Sequence, residues 1–227
     1  MLMAADECFI CGARLEGESK RDPYGRHWCP SHSVRRCPFC RAAFAGPGNK
    51  IEGFPGRYCP DCATPKTYQQ AMAIWNYVAR YLTERGLFIP SHTMSLLTGA
   101  QMRDRYLGVF GETPRGVTSR SGESYRIDIL SQQPSASMAA VMAHESMHAA
   151  QWARKIEAPD GLDEGFCNLV AYEITSSIRD PHAAVHLSMM MENPDPAYGR
   201  AFRQLKILYD SRGWEAVLKF MQSFRKG

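Results

Sequence analysis

Nowhere does this chain of 227 residues hold an uncharged apolar run of the roughly 18 residues that a membrane-spanning helix needs, so no membrane span is expected. Neither charge sign dominates: 27 Lys+Arg stand against 23 Asp+Glu, a formal net charge of +4, and 44% of residues are apolar. That balance excludes a mainly disordered chain and leaves enough apolar side chains for one or two globular domains. Internal repeats and low-complexity tracts are absent. The first residues, with Asp6 and Glu7, lack the basic-then-apolar order of a secretory leader, so a reducing, cytoplasmic setting is the expectation. Cysteine is scarce over most of the chain. Of eight, seven lie between Cys8 and Cys62 and the last is Cys167. In a reducing setting this distribution points to metal rather than disulfides.

The cysteines of the first 65 residues come in pairs. Cys8-x-x-Cys11 and Cys29-x-x-His32 are separated by seventeen residues, and Cys37-x-x-Cys40 and Cys59-x-x-Cys62 by eighteen. Two ligands two residues apart on a tight turn occupy neighbouring corners of a tetrahedron, and a second pair closes the site from a hairpin away. The expectation is two structural zinc ions, one bound by three cysteines and a histidine, the next by four cysteines. His27 is the competing ligand for His32. Closed sites leave no position for water, and a segment of this size needs them to hold a fold. Residues 1–65 carry nine Lys+Arg and seven Asp+Glu, but seven thiolates and two zinc ions bring that +2 to −1. Binding of nucleic acid through phosphate is therefore not expected, and a protein-binding module is.

The rest, residues 66–227, reads as a second domain of α+β class, mainly helical. Tyr68, Ala71, Trp75, Val78 and Leu82 recur at helical steps up to Gly86, and His92–Leu97 and Tyr125–Leu130 are strand candidates of a small antiparallel sheet. From Pro134 to about Lys155 no glycine or proline interrupts a helix. Another starts after Pro159-Asp160-Gly161, and two more, parted near Gly213, fill Pro196 to Met221. His182 and His186, also four apart, are expected on a helix surface, and Cys167 as a buried thiol.

Within the uninterrupted helix stands His144-Glu145-Ser146-Met147-His148. Four-residue spacing stacks both imidazoles on one face, where they can share a metal, and Glu145 beside them can serve as general base. A catalytic zinc takes a third protein ligand, and Glu164 on the following helix is the candidate, with Asn168 one turn on placed to hold a histidine N–H. Tyr172 and Tyr198 are the phenols available to an oxyanion, Tyr198 the preferred one. The Tyr125–Leu130 strand would offer an edge to an extended peptide.

The segments AHESMHA, LDEGFCNLVAY, GLFIPSHTMSLLTG and DPAYGRAF together resemble the plant organ-size-limiting, LIM-domain-containing metallopeptidases and their microbial relatives. The resemblance runs from Cys8 to Met221. It implies a gluzincin-type zinc peptidase fused to LIM-like modules, with His144, His148 and Glu164 as ligands and Glu145 as base. It also implies ubiquitin or ubiquitin-pathway proteins as partners. Cys29-Pro-Ser-His32 departs from it, since a LIM module's second pair usually runs His-x-x-Cys. The functional expectation is a zinc endopeptidase acting on protein or peptide substrates, with one catalytic and two structural zinc ions. The alternative is a non-catalytic adaptor on a degenerate peptidase scaffold.

Overall fold

The computed structural model describes residues 7–159 and 161–226. Among them the chain is mixed α and β, with seven α-helices, a π-helical turn and small sheets. None of these helices is long and apolar enough to cross a membrane.

The cysteine-rich segment is built from two antiparallel hairpins, β1 (Lys20–Arg21) with β2 (His27–Trp28) and β3 (Arg35–Arg36) with β4 (Ala43–Phe44), and closes with the short helix α1 (Pro60–Ala63). Each hairpin is preceded or accompanied by a tight cysteine turn. Gly12 donates its N–H to the Cys8 carbonyl, and Arg41 donates likewise to Cys37, both at 2.8 Å and both at positive φ. The buried carboxylate of Asp22 joins the hairpins, accepting from the amides of Tyr24, Arg26 and Ala43 and from the Arg26 guanidinium at 2.6–3.0 Å. Burial raises its pKa, but the Ala43 amide and Arg26 outweigh burial and hold it below its ordinary value.

The longer part of the chain opens with α2 (Tyr68–Glu84), whose Thr67 and Gln70 form a reciprocal cap. β5 (His92–Leu97), α3 (Gly99–Phe110), β6 (Gly116–Ser121) and β7 (Ser124–Leu130) follow. Their sheet has the order β5-β7-β6, with β7 antiparallel to β6 but parallel to β5. The expected antiparallel sheet is thus corrected to a mixed one. After β5 the chain passes through α3 and re-enters the sheet at the same end, so β6 runs back along it and β7, turning from β6, returns in the direction of β5. Neither α3 nor β6 shows in the sequence pattern, which has only a Gly- and Arg-containing stretch from Gly108 to Gly122 between the two strand candidates. β7 is the central strand, which also corrects the idea that it offers a free edge; β6 and β5 are the edges.

α4 (Ser135–Ala153) lies across this sheet and packs most closely against α5 (Leu162–Ser176). It is buried on nearly every side, with Ala136, Ala139, Ala140, Ala143, Ala149 and Ala150 leaving room for neighbours and Met138, Met142 and Met147 filling the gaps. α6 (Pro181–Glu192), the π-helical turn Pro196–Ala201 and α7 (Phe202–Gln222) wrap α5. Gly213, at φ 71° and ψ −176°, breaks α7 where the sequence places a helix boundary. The two parts of the chain meet through Phe39 and Phe54, packed against Leu97, Met102, Tyr106, Val117 and Leu130. Arg41 also bonds Glu192 of α6 at 3.0 Å, and the Tyr24 and His182 rings touch edge-on.

Candidate metal centre

Among the described residues three clusters of candidate ligating side chains form, two of them in the cysteine-rich segment. Cys8, Cys11, Cys29 and His32 bring one ligand atom each within 4.8 Å of the others, and so do Cys37, Cys40, Cys59 and Cys62. The Cys8–Cys29, Cys11–Cys29 and Cys40–Cys59 sulfurs are 3.5, 3.7 and 3.7 Å apart. A disulfide is about 2.05 Å. The edge of a tetrahedron with zinc–sulfur bonds of about 2.3 Å is about 3.8 Å, which is the spacing seen. The buried Nε2 of His32 has no hydrogen-bond partner, as a ligand nitrogen aimed at an ion would be. His27 lies elsewhere, its Nδ1 on the Ser19 hydroxyl at 3.0 Å, so the alternative ligand is set aside. Both clusters fit zinc.

The third cluster joins α4 to α5. His144 Nε2 is 3.1 Å from His148 Nε2 and 3.1 Å from Glu164 Oε2, and His148 Nε2 is 3.5 Å from the same oxygen. Around zinc with bonds of about 2.05 Å, tetrahedral edges are about 3.3 Å. The tautomer of His144 follows from its neighbours. Asn168 donates Nδ2–H to the Tyr198 carbonyl at 2.7 Å, so its Oδ1, 3.0 Å from His144 Nδ1, accepts from that ring nitrogen. The Nε2 lone pair of neutral His144 then points at a carboxylate oxygen that is itself buried without a donor. Acceptors facing one another at this range call for a cation between them. Burial pulls His148 down, yet Cys167, Glu164 and Glu145 push it up to about 12, so the acidic groups around it favour positive charge here, supplied by a proton or by a metal ion. Burial would raise Glu164, but the two imidazoles hold it well below the carboxylate range.

Cys167 is also within 4.8 Å of a ring nitrogen of each histidine. Its sulfur sits 3.6 Å from Nδ1 of His148, the nitrogen opposite the one facing Glu164, and 3.1 Å from Gln151 Nε2. One ion cannot use both sides of the ring, so Glu164 is the candidate third donor on the side where the two Nε2 atoms meet, and Cys167 lies behind the His148 imidazole. The sequence held a signal for this, because Glu164, Cys167 and Asn168 share one helical face.

The centre opens on a cleft of about 510 Å³ lined by His144, Glu145, Asn168, Arg115, His186 and Tyr198, among others. Glu145 Oε2 accepts from the Thr118 hydroxyl of β6 at 2.8 Å, and the same hydroxyl bonds the Glu145 carbonyl. Thr118 carried no sequence signal. Tyr198 stacks beside His144, ring centroids 6.2 Å apart and planes at 20°; burial and the carboxylates of Glu164 and Glu145 raise its phenol above the ordinary value. Tyr172 packs instead against Phe202 and beneath Lys206, outside the cleft. The surface position expected for His186 is corrected: its ring is buried at the cleft, because α6 turns that face toward the Arg115 segment. A larger groove of about 730 Å³ along α2 holds none of the candidate ligands or catalytic groups. No family model, no curated protein and no solved structure matches this chain.

Proposed function

We propose that this chain is a zinc-dependent endopeptidase that hydrolyses peptide bonds in protein or peptide substrates, with the cysteine-rich segment recruiting substrate or shaping the cleft. The observation that carries the reading is the triangle of His144, His148 and Glu164 acceptors at 3.1–3.5 Å, with Glu145 in the cleft beside it. Zinc held there would polarise the scissile carbonyl and acidify a water. Glu145 accepts the proton of the attacking water and passes it to the amine nitrogen as the C–N bond breaks; the hydroxyl stays on the carbonyl carbon. Thr118 orients Glu145 for both transfers. The Tyr198 phenol, kept protonated, donates toward the developing oxyanion. The outer edge of β6, beside α4, offers main-chain groups to an extended substrate. Ubiquitin or ubiquitin-pathway proteins are the substrates that the resemblance to LIM-containing peptidases suggests trying first.

Zinc content and cleavage of an unfolded protein test this together. Three zincs per chain are expected, two in His148→Ala, and three in Glu145→Gln with cleavage lost by at least about 10²-fold. Two zincs in both the unaltered chain and His148→Ala would leave the HESMH site empty and favour the adaptor reading. Substantial activity in Glu145→Gln would remove that residue from the mechanism.

A further inference from the structure

The lining of the cleft includes an arginine with little to hold. Arg115, just before β6, is partly buried, and its Nη1 donates to the Ser137 hydroxyl at 3.0 Å while the guanidinium sits 5.3 Å over the Phe39 ring. It makes no ion pair with a described residue, whereas the half-exposed Arg105 and Arg126 both engage Asp128. Of its five N–H donors one is bonded, and the others are not sealed from solvent. Partial withdrawal of a cation from water with no anion against it is unfavourable, and a substrate anion entering the cleft would relieve that cost. Burial lowers the Arg115 pKa, and burial together with Arg115 drives His186 down to about 3. His186 is therefore neutral near pH 7, and Arg115 supplies the positive charge beside it. The acids of the same lining leave Arg115 free: Glu192 is held by Arg41, Glu145 by Thr118, and Glu112 is exposed and unbonded.

Resting on the peptidase reading, we propose that Arg115 is the specificity determinant of this cleft and receives a substrate carboxylate, from an Asp or Glu side chain near the scissile bond or from a peptide C-terminus. A planar fork of N–H donors matches a carboxylate in two-point fashion. The surrounding Ala140, Val141, Met189 and Met190 give that contact apolar walls, where a charge-assisted bond is stronger than in water. The competing role is structural, because Arg115 also feels the Cys62 thiolate and Tyr58 and could serve as counter-charge to the four-cysteine cluster.

Binding to zinc-loaded Glu145→Gln protein, which should not turn substrate over, separates these. Three short labelled peptides suffice: one with an internal Glu and an amidated end, its Gln counterpart, and the Gln peptide with a free C-terminus. Either carboxylate-bearing peptide should bind at least about tenfold tighter than the neutral one, and the one that does identifies the source of the carboxylate. Adding Arg115→Met should erase the difference with all zinc retained, and Arg115→Lys should restore part of it. Equal binding of the three peptides to the Arg115 protein, a result that needs no further variant, overturns the proposal. So does a preference that survives Arg115→Met, or loss of one zinc with equal weakening of all three peptides. Carboxylate preference in a protein whose unaltered form cleaves nothing would remove the peptidase reading alone; cleavage with no preference would remove this inference alone.

Discussion

Asp128 shows how far single side chains set the stability of this molecule. Its carboxylate is fully buried at the middle of β7, yet it accepts from Arg105, Tyr106 and Arg126. Burial would raise its pKa, but Tyr106, Arg105 and Arg126 together hold it below the ordinary 3.8. A carboxylate with a depressed folded pKa adds stability that is complete above its unfolded value and is lost as pH falls through its folded one. Asp128→Asn is therefore expected to cost about 2–4 kcal/mol at pH 7, read from the urea midpoint. The gap between the two proteins should narrow below about pH 4. A gap that stays constant from pH 7 to 3 would mean that the charge on Asp128 contributes nothing. Glu164 is the comparable residue of the candidate metal centre, its pKa held low by two imidazoles rather than by arginines.

Between elements, close approach matters more than any one bond. β6 runs against α4 because Gly116 lacks a side chain: an added Cβ there would collide with Val141 and come within 2.9 Å of Glu145 Cγ. Gly165 plays the same part where α5 crosses the π-helical turn, with the Phe202 amide 2.8 Å from where a Cβ would stand. Gly116→Ala is expected to push β6 off the helix that carries Glu145 and to destabilise the fold by about 1–3 kcal/mol. Its zinc content should not change, since β6 provides no ligand and the clash falls on Val141 and Glu145 rather than on His144 or His148. Thermal unfolding beside metal analysis reads both; a variant as stable as the parent would show that β6 yields without strain. The same reasoning explains why α4 was legible as a helix but not as a central one, since an alanine-rich run fits either setting.

Across the whole molecule the two parts differ in what holds them. The larger part has a contiguous apolar core from Ala71 to Met221, whereas the cysteine-rich part buries a few aromatics around its ligands. Chelation should therefore open residues 7–65 to protease while leaving most of the helical signal intact, and added zinc should reverse it. Proteolysis followed by mass analysis checks this. Cuts spread equally through both parts would mean that zinc supports the entire fold. Arg41 sits where the two parts meet, holding a left-handed backbone that Gly12 adopts in the companion turn, and its side chain reaches Glu192 at the cleft rim.

By itself the sequence determined the ligand pairs, the helix that stacks His144 over His148, and Glu164 with Asn168 on one face of the next helix. Each of these depends on spacing of a few residues, which local geometry turns directly into proximity. Only the tertiary structure decided that β5 and β7 run parallel, that Thr118 holds Glu145, and that Cys167 lies behind His148. It also decided that Arg115 and His186 share the wall of the cleft. Those contacts join segments tens of residues apart, and no local period records which strand or helix will be folded against which.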